Sequence, residues 1–77
     1  MWNEGIITNP ITGEDFKYWV KHFEEGSEFG IDGGRISKLT IRKVGENLNR
    51  VNYDRGWDKT PTEETQDVYN VILEMYN

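Results

Sequence analysis

Cysteine is missing from the chain altogether, which rules out a disulfide framework, a thiolate metal site and a cysteine nucleophile. Histidine occurs once, at His22, so a histidine metal centre cannot be assembled within the chain. Long apolar runs are absent too, and no stretch approaches the ~20 apolar residues that a membrane-spanning helix needs. The opening Met1-Trp2-Asn3-Glu4 carries neither a basic region nor an apolar core of the signal-peptide kind. These absences together set the expectation of a cytoplasmic protein without membrane contact, metal or cofactor. Proline is scarce, at two residues, and both flank polar turn segments rather than interrupting apolar ones.

Against these gaps stands a rich aromatic content. Three Trp, four Tyr and three Phe make 13% of 77 residues, although hydrophobic residues as a whole reach only 35%. Each buried ring withdraws roughly 150–250 Å² from water, so a small core can be built from few residues. That content separates the chain from disordered sequences despite 30% charged residues and a mean hydropathy of -0.80. The length accommodates one domain, residues 1–77. Small size with many aromatics also allows a homodimer that shares apolar surface.

Charge is segregated along the chain. The net value is -5 with an isoelectric point near 4.7. Residues 1–34 carry a net -5, residues 35–59 a net +4, and residues 60–77 a net -4. A basic centre between acidic ends produces an uneven field that steers partners unless folding intermixes the blocks.

The periodicities predict four strands and one helix. The first strand spans about residues 2–8 and contains Ile6-Ile7, and Asn9-Pro10 with Gly13 makes the turn that follows. Between 14 and 23 the side chains alternate: Phe16, Tyr18, Val20 and His22 on one face, Lys17, Trp19, Lys21 and Phe23 on the other. A glycine-rich loop from Glu24 to Gly34 comes next, and its Asp32-Gly33 pair suits a turn with positive φ. The third strand, about 35–44, turns Leu39 and Ile41 inward and Lys38, Thr40 and Arg42 outward. The fourth, about 50–55, turns Val51 and Tyr53 inward and Arg50, Asn52 and Asp54 outward. Thr60-Pro61-Thr62-Glu63 has the form of a capping box with proline at the first helical position, which predicts a helix over about 61–76. Val68, Val71, Ile72 and Met75 recur at helical spacing and make its buried stripe. The expected fold is therefore α+β: a four-stranded antiparallel meander packed on one C-terminal helix, ββββα. Its uncovered face shows Lys17, Trp19, Lys21, Lys38, Arg42 and Arg50.

Catalytic constellations are lacking. Ser27 and Ser37 lie in no nucleophile-elbow pattern. The carboxylate pairs Glu24-Glu25 and Asp54 with Asp58 are of a kind that arises readily in an acidic chain. His22 reads as a strand residue with a satisfied hydrogen bond. The expectation is a binding protein rather than an enzyme, with a small nucleotide-acting enzyme as the remotest alternative. Two segments carry binding chemistry. In Gly30-Ile31-Asp32-Gly33-Gly34-Arg35-Ile36-Ser37-Lys38, glycine N–H groups with Arg35, Ser37 and Lys38 suit a phosphate, although the order and the following strand differ from a P-loop. A plain turn into a strand accounts for the same residues. In Tyr53-Asp54-Arg55-Gly56-Trp57-Asp58, Arg55 and Trp57 offer a planar cation and a stacking surface; a salt-bridge knot with Trp57 closing the core is the structural alternative. Lys and Arg interleaved with Trp19 suit nucleic acid. The low isoelectric point opposes a general nucleic-acid binder and favours a small phosphorylated ligand or a basic protein surface.

The stretches Glu24-Glu25-Gly26-Ser27-Glu28-Phe29-Gly30-Ile31, Gly34-Arg35-Ile36-Ser37-Lys38-Leu39 and Tyr53-Asp54-Arg55-Gly56-Trp57-Asp58, with the opening Trp2-x-Glu4-Gly5, resemble a family of short uncharacterised proteins of bacteria, phages and mobile elements. The resemblance runs over nearly the whole chain. It implies a phage or mobile-element setting, in which small acidic proteins often inhibit host defences. Two expectations follow. The first is a defence inhibitor that binds a host effector protein, in the manner of an anti-CRISPR, through Glu24, Glu25, Glu28 and the acidic helix. The second is an oligomeric sponge that sequesters a small nucleotide signal with Arg35, Ser37, Lys38, Arg55 and Trp57.

Overall fold

A computed structural model describes residues 1–77 and shows five strands followed by one helix. The strands are β1 (Trp2–Thr8), β2 (Asp15–His22), β3 (Ile36–Lys43), β4 (Asn49–Asp54) and β5 (Trp57–Lys59); the helix α1 is Gln66–Tyr76. They form one antiparallel sheet in the order β1-β2-β3-β4-β5, so each strand pairs with its neighbour in the chain. The expected fold class holds, but with five strands rather than four. β5 is a three-residue strand paired to β4 through Tyr53↔Trp57 and Asn52↔Lys59. It is too short to show an alternation, and the turn before it is tight, with Arg55 at φ 56°.

The helix also begins later than its capping sequence predicts. Thr60-Pro61-Thr62-Glu63 does not cap it. Instead Thr62 and Thr65 close a turn on each other: the Thr62 N–H donates to Thr65 Oγ1 at 2.9 Å, and the Thr65 N–H donates to the Thr62 carbonyl at 3.0 Å. Thr65 is fully buried and its carbonyl accepts the first helical bond, from Tyr69 N–H at 2.9 Å. The stripe of α1 is rotated relative to the aliphatic pattern. Val68, Tyr69 and Ile72 are buried and Leu73 and Tyr76 pack beside them, whereas Val71 and Met75 are 39% and 51% exposed. The tyrosines displace the aliphatic residues because their rings reach across to the sheet.

The core lies between α1 and one sheet face: Phe16, Tyr18, Val20, Ile36, Leu39, Ile41, Val51 and Tyr53 from the strands, Ile31 from the turn before β3, and Val68, Tyr69 and Ile72 from the helix. Tyr18 lies over Gly5, its partner in β1, where a Cβ would come within 2.7 Å of the tyrosine oxygen. That oxygen bonds Tyr76 Oη at 2.9 Å. Burial first, then this bond and the neighbouring Tyr76 charge, push the Tyr18 pKa up to about 12. His22 Nε2 bonds Asn3 Oδ1 at 2.8 Å and its ring packs on Tyr76, 5.0 Å between centroids. Desolvation, with the N-terminal charge and Arg35 adding to it, lowers its pKa.

One side-chain direction departs from strict alternation. A register shift between Ile41 and Arg42 puts Asn49 opposite Arg42 and swings Arg50 off the open face. Arg50 then forms a fork with Glu46 and reaches Glu64 at 3.0 Å; Lys43 joins the same network through Glu14 and Glu64.

Candidate functional site: a basic pocket at the end of the open sheet face

The open face of the sheet carries Lys17, Trp19 and Lys21 from β2, opposite Arg42, Thr40 and Lys38 of β3. At its far end a second register shift, between Lys21 and His22, puts Ile36 opposite His22 and leaves Ser37 in the bulge. Ser37 is 6% exposed, its hydroxyl donating to the Lys21 carbonyl at 3.4 Å. The Ser37 carbonyl accepts the Arg55 N–H at 2.9 Å, which brings the β4–β5 turn alongside. The loop after β2 folds back over this corner, because Phe23 N–H donates to the Arg35 carbonyl at 3.0 Å and Ser27 N–H to the Gly34 carbonyl at 3.1 Å.

These connections enclose a pocket of about 250 Å³ lined by Lys21, Phe23, Ser27, Phe29, Ser37, Lys38 and Arg55. Three cations, two phenyl rings and two hydroxyls line it, and no carboxylate does. Lys21 Nζ sits 5.5 Å from the Phe23 centroid. Asp54 at the rim holds Lys38 at 3.7 Å and Arg55 Nε at 3.8 Å, both long for ion pairs. With Arg55 and Asp54 more than half exposed, such pairs are worth little, and an incoming anion would compete with them readily.

The pocket's walls are anchored from behind. Tyr53 Oη donates to the Phe29 carbonyl at 2.7 Å. Asn77, following α1, accepts from Ile36 N–H at 3.0 Å and donates to the Ile31 carbonyl at 3.2 Å. The turn between them has Asp32 at φ 52° and Gly33 at φ 71°, the positive-φ pair expected from Asp-Gly.

Of the residues singled out from the sequence, Ser37, Lys38 and Arg55 meet in this pocket. Arg35 does not line it; its charge acts on His22. Trp57 is likewise separated from Arg55. It pairs with Tyr53 and packs edge-on against Tyr53 at 4.9 Å and Tyr69 at 5.7 Å, half-covering the core. Glu24, Glu25 and Glu28 are exposed on the loop outside the pocket. Lys21, Phe23, Ser27 and Phe29 complete the site without having been assigned to it. Lys21 and Phe23 were readable as one face of β2, but their approach to residues 37–55 depends on the bulge, which no local pattern announces.

A larger depression, about 900 Å³, lies between Asn9–Thr12 and the start of α1. It is lined by Glu63, Glu64 and Asp67, and its single cation, Arg50, is already held by Glu46 and Glu64. No three His, Asp or Glu side chains gather as a metal-holding group, and no helix is long and apolar enough to cross a membrane.

Fold and pocket together define a small α+β protein with an open antiparallel sheet and a corner lined by three cations. The chain belongs to the family described as Domain of unknown function (DUF7678), which matches it over residues 1–77. Comparison with curated proteins finds no significant match, and comparison with solved structures finds none either.

Proposed function

We propose that this protein is a non-catalytic binding protein for a small phosphorylated nucleotide, held in the pocket of Lys21, Phe23, Ser27, Phe29, Ser37, Lys38 and Arg55. The observation that carries the reading is the lining itself: three cations and two aromatic rings converge with no carboxylate among them. Phosphate takes charge-assisted bonds from Arg55, Lys38 and Lys21, with the Ser27 and Ser37 hydroxyls alongside. Phe23 and Phe29 give a base or sugar an apolar wall. In a phage or mobile-element setting, sequestering a nucleotide signal of the host's defence is the role this chemistry serves. Calorimetric titration with nucleoside mono- and triphosphates tests it. Arg55→Ala should abolish binding while the circular dichroism spectrum stays unchanged; affinity equal to that of the parent protein would refute the pocket.

A second reading has its own observation. Glu24, Glu25 and Glu28 are exposed and enter no ion pair, an arrangement that suits a basic patch on a host effector protein. Reversing Glu24 and Glu25 to Lys should then weaken such a complex, and more so at low salt. A complex indifferent to both changes would rule out acidic recognition.

A further inference from the structure

The pocket does not end at Lys21. Its volume of about 250 Å³ lies below the ~300–1,000 Å³ of sites that enclose a whole drug-sized ligand. What enters is therefore part of a ligand, and the rest must lie over the adjoining surface. Along β2 and the residue after it, the open face presents Lys17, Trp19, Lys21 and Phe23 at every second position, a track of roughly 20 Å at the usual rise of a strand. Cation and ring alternate along it. Lys17 Nζ is 5.0 Å from the Trp19 centroid and the Arg42 guanidinium 5.3 Å. Lys21 Nζ is 6.0 Å from Trp2 and 5.5 Å from Phe23, linking the indole platform to the pocket. Two shallow depressions continue the line: one of about 320 Å³ between Trp2, Trp19, Thr40, Arg42 and Asn49, and one of about 400 Å³ beside Ile6, Lys17 and Val44.

We infer that the pocket is one end of a track whose ligand is a short single-stranded oligonucleotide, phosphates meeting Lys17, Lys21, Lys38 and Arg42 and bases stacking on Trp2 and Trp19. The inference rests on the nucleotide reading of the pocket and extends it. Charge selects this occupant. Lys17, Lys21, Lys38 and Arg42 hold the centre of the face, on β2 and β3, while Glu4, Asp15, Asp54 and Asp58 stand around its edges. A narrow polyanion laid along the central cations answers that arrangement, and one bearing flat rings also uses the 57% exposed Trp2. A duplex hides its base faces inside the stack and leaves the indoles unused. The acids elsewhere, which make the whole chain net -5, limit the site to short strands rather than to nucleic acid at large.

Fluorescence anisotropy with labelled single strands of oligouridylate and oligothymidylate, about eight nucleotides long, tests this on the full chain, with the mononucleotide, the matching duplex and polyglutamate as competitors. The expected result is binding of the single strand at least tenfold tighter than of the mononucleotide, with duplex and polyglutamate weak. Trp19→Ala should lower affinity for the strand by roughly tenfold or more, leave mononucleotide binding intact, and be rescued in part by Trp19→Phe. A paired Lys17→Ala and Arg42→Ala variant, which spares the indole, should flatten the dependence on salt. Equal affinity for strand and mononucleotide, insensitive to Trp19→Ala, overturns the inference and leaves the pocket reading standing. Strand binding that needs Trp19 but ignores Arg55→Ala supports the track and refutes the pocket. Polyglutamate competing as well as the strand overturns stacking in favour of an acidic protein partner. A salt-insensitive dimer lost on Trp19→Ala assigns the face to self-association and overturns it as well.

Discussion

At the scale of single residues, the polar pairs that join sheet to helix make predictions about pH. Tyr18 is raised to about 12 from an ordinary 10.0 because its neutral hydroxyl is buried and bonded to Tyr76. A group whose folded pKa is raised contributes stability that is complete below the unfolded value and lost as pH climbs through the folded one. Stability should accordingly fall between pH 10 and about 12, and a Tyr76→Phe variant, weaker by about 1 kcal/mol at neutral pH, should show a shallower alkaline decline in urea melts. Glu46 behaves in the opposite sense. The bond from Arg50 holds its carboxyl below the ordinary 4.5, so its contribution is present above that value and disappears as pH falls through the folded pKa. Glu46→Gln should lower the urea midpoint at pH 7 and converge with the parent protein in acid; a constant difference across pH would dismiss the ion pair as the cause. Gly30 makes a steric prediction. A Cβ there would collide with the Gly34 backbone carbonyl, and backbone cannot yield as a flexible side chain does. Gly30→Ala should cost roughly 2 kcal/mol, read as a lowered melting temperature.

At the scale of elements, legibility followed the length of each pattern. β2 was readable over its whole length because Phe16, Tyr18 and Val20 alternate with Lys17, Trp19 and Lys21, and period two has no helical counterpart. β5 was not, since Trp57–Lys59 is only three residues long and sinks no side chain fully into the core, too little to set a phase. The helix start was misread for a different reason. Thr60-Pro61-Thr62-Glu63 satisfies the composition of a capping box, yet a buried Thr65 competes for the same backbone donor and wins, because its hydroxyl would otherwise be left unpaired in the core. Thr65→Val keeps the volume but removes that acceptor. It should destabilise the protein by ~1–3 kcal/mol, whereas Thr60→Ala should leave the melting temperature nearly unchanged.

At the scale of the whole molecule, the pocket joins parts of the chain that lie far apart in sequence: 21–23, 27–29, 37–38 and 55. Ser37, Lys38 and Arg55 stand out in the sequence because residues suited to a phosphate concentrate in two short segments. Which residues share a face is set where the ladders shift register, between Lys21 and His22, Ile41 and Arg42, and Asn52 and Tyr53, and a bulge is a one-residue accommodation between strands with no composition of its own. The same reasoning explains Arg50, whose expected place on the open face was lost to Glu46 and Glu64. Segregated charge, in contrast, was visible at once, but folding mixes the blocks in part: Lys43 and Arg50 of the basic centre pair with Glu14 and Glu64 of the acidic ends.

The neighbour-to-neighbour order of the strands has a consequence in time. Three of the four ladders close across short connections, residues 9–14, 44–48 and 55–56, and β2 meets β3 across the longer 23–35, so most of the sheet can form by local pairing. The ties from Tyr76 to Tyr18 and from Asn77 to Ile36 span 58 and 41 residues, and such long closures come after the local ones. Removing them with Tyr76→Phe or Asn77→Ala should therefore quicken unfolding and leave the refolding rate almost untouched in stopped-flow experiments, while Val51→Ala slows refolding. The basic corner, whose flanking turn is tied down by Asn77, is accordingly among the last parts of the molecule to be finished and the first to be undone.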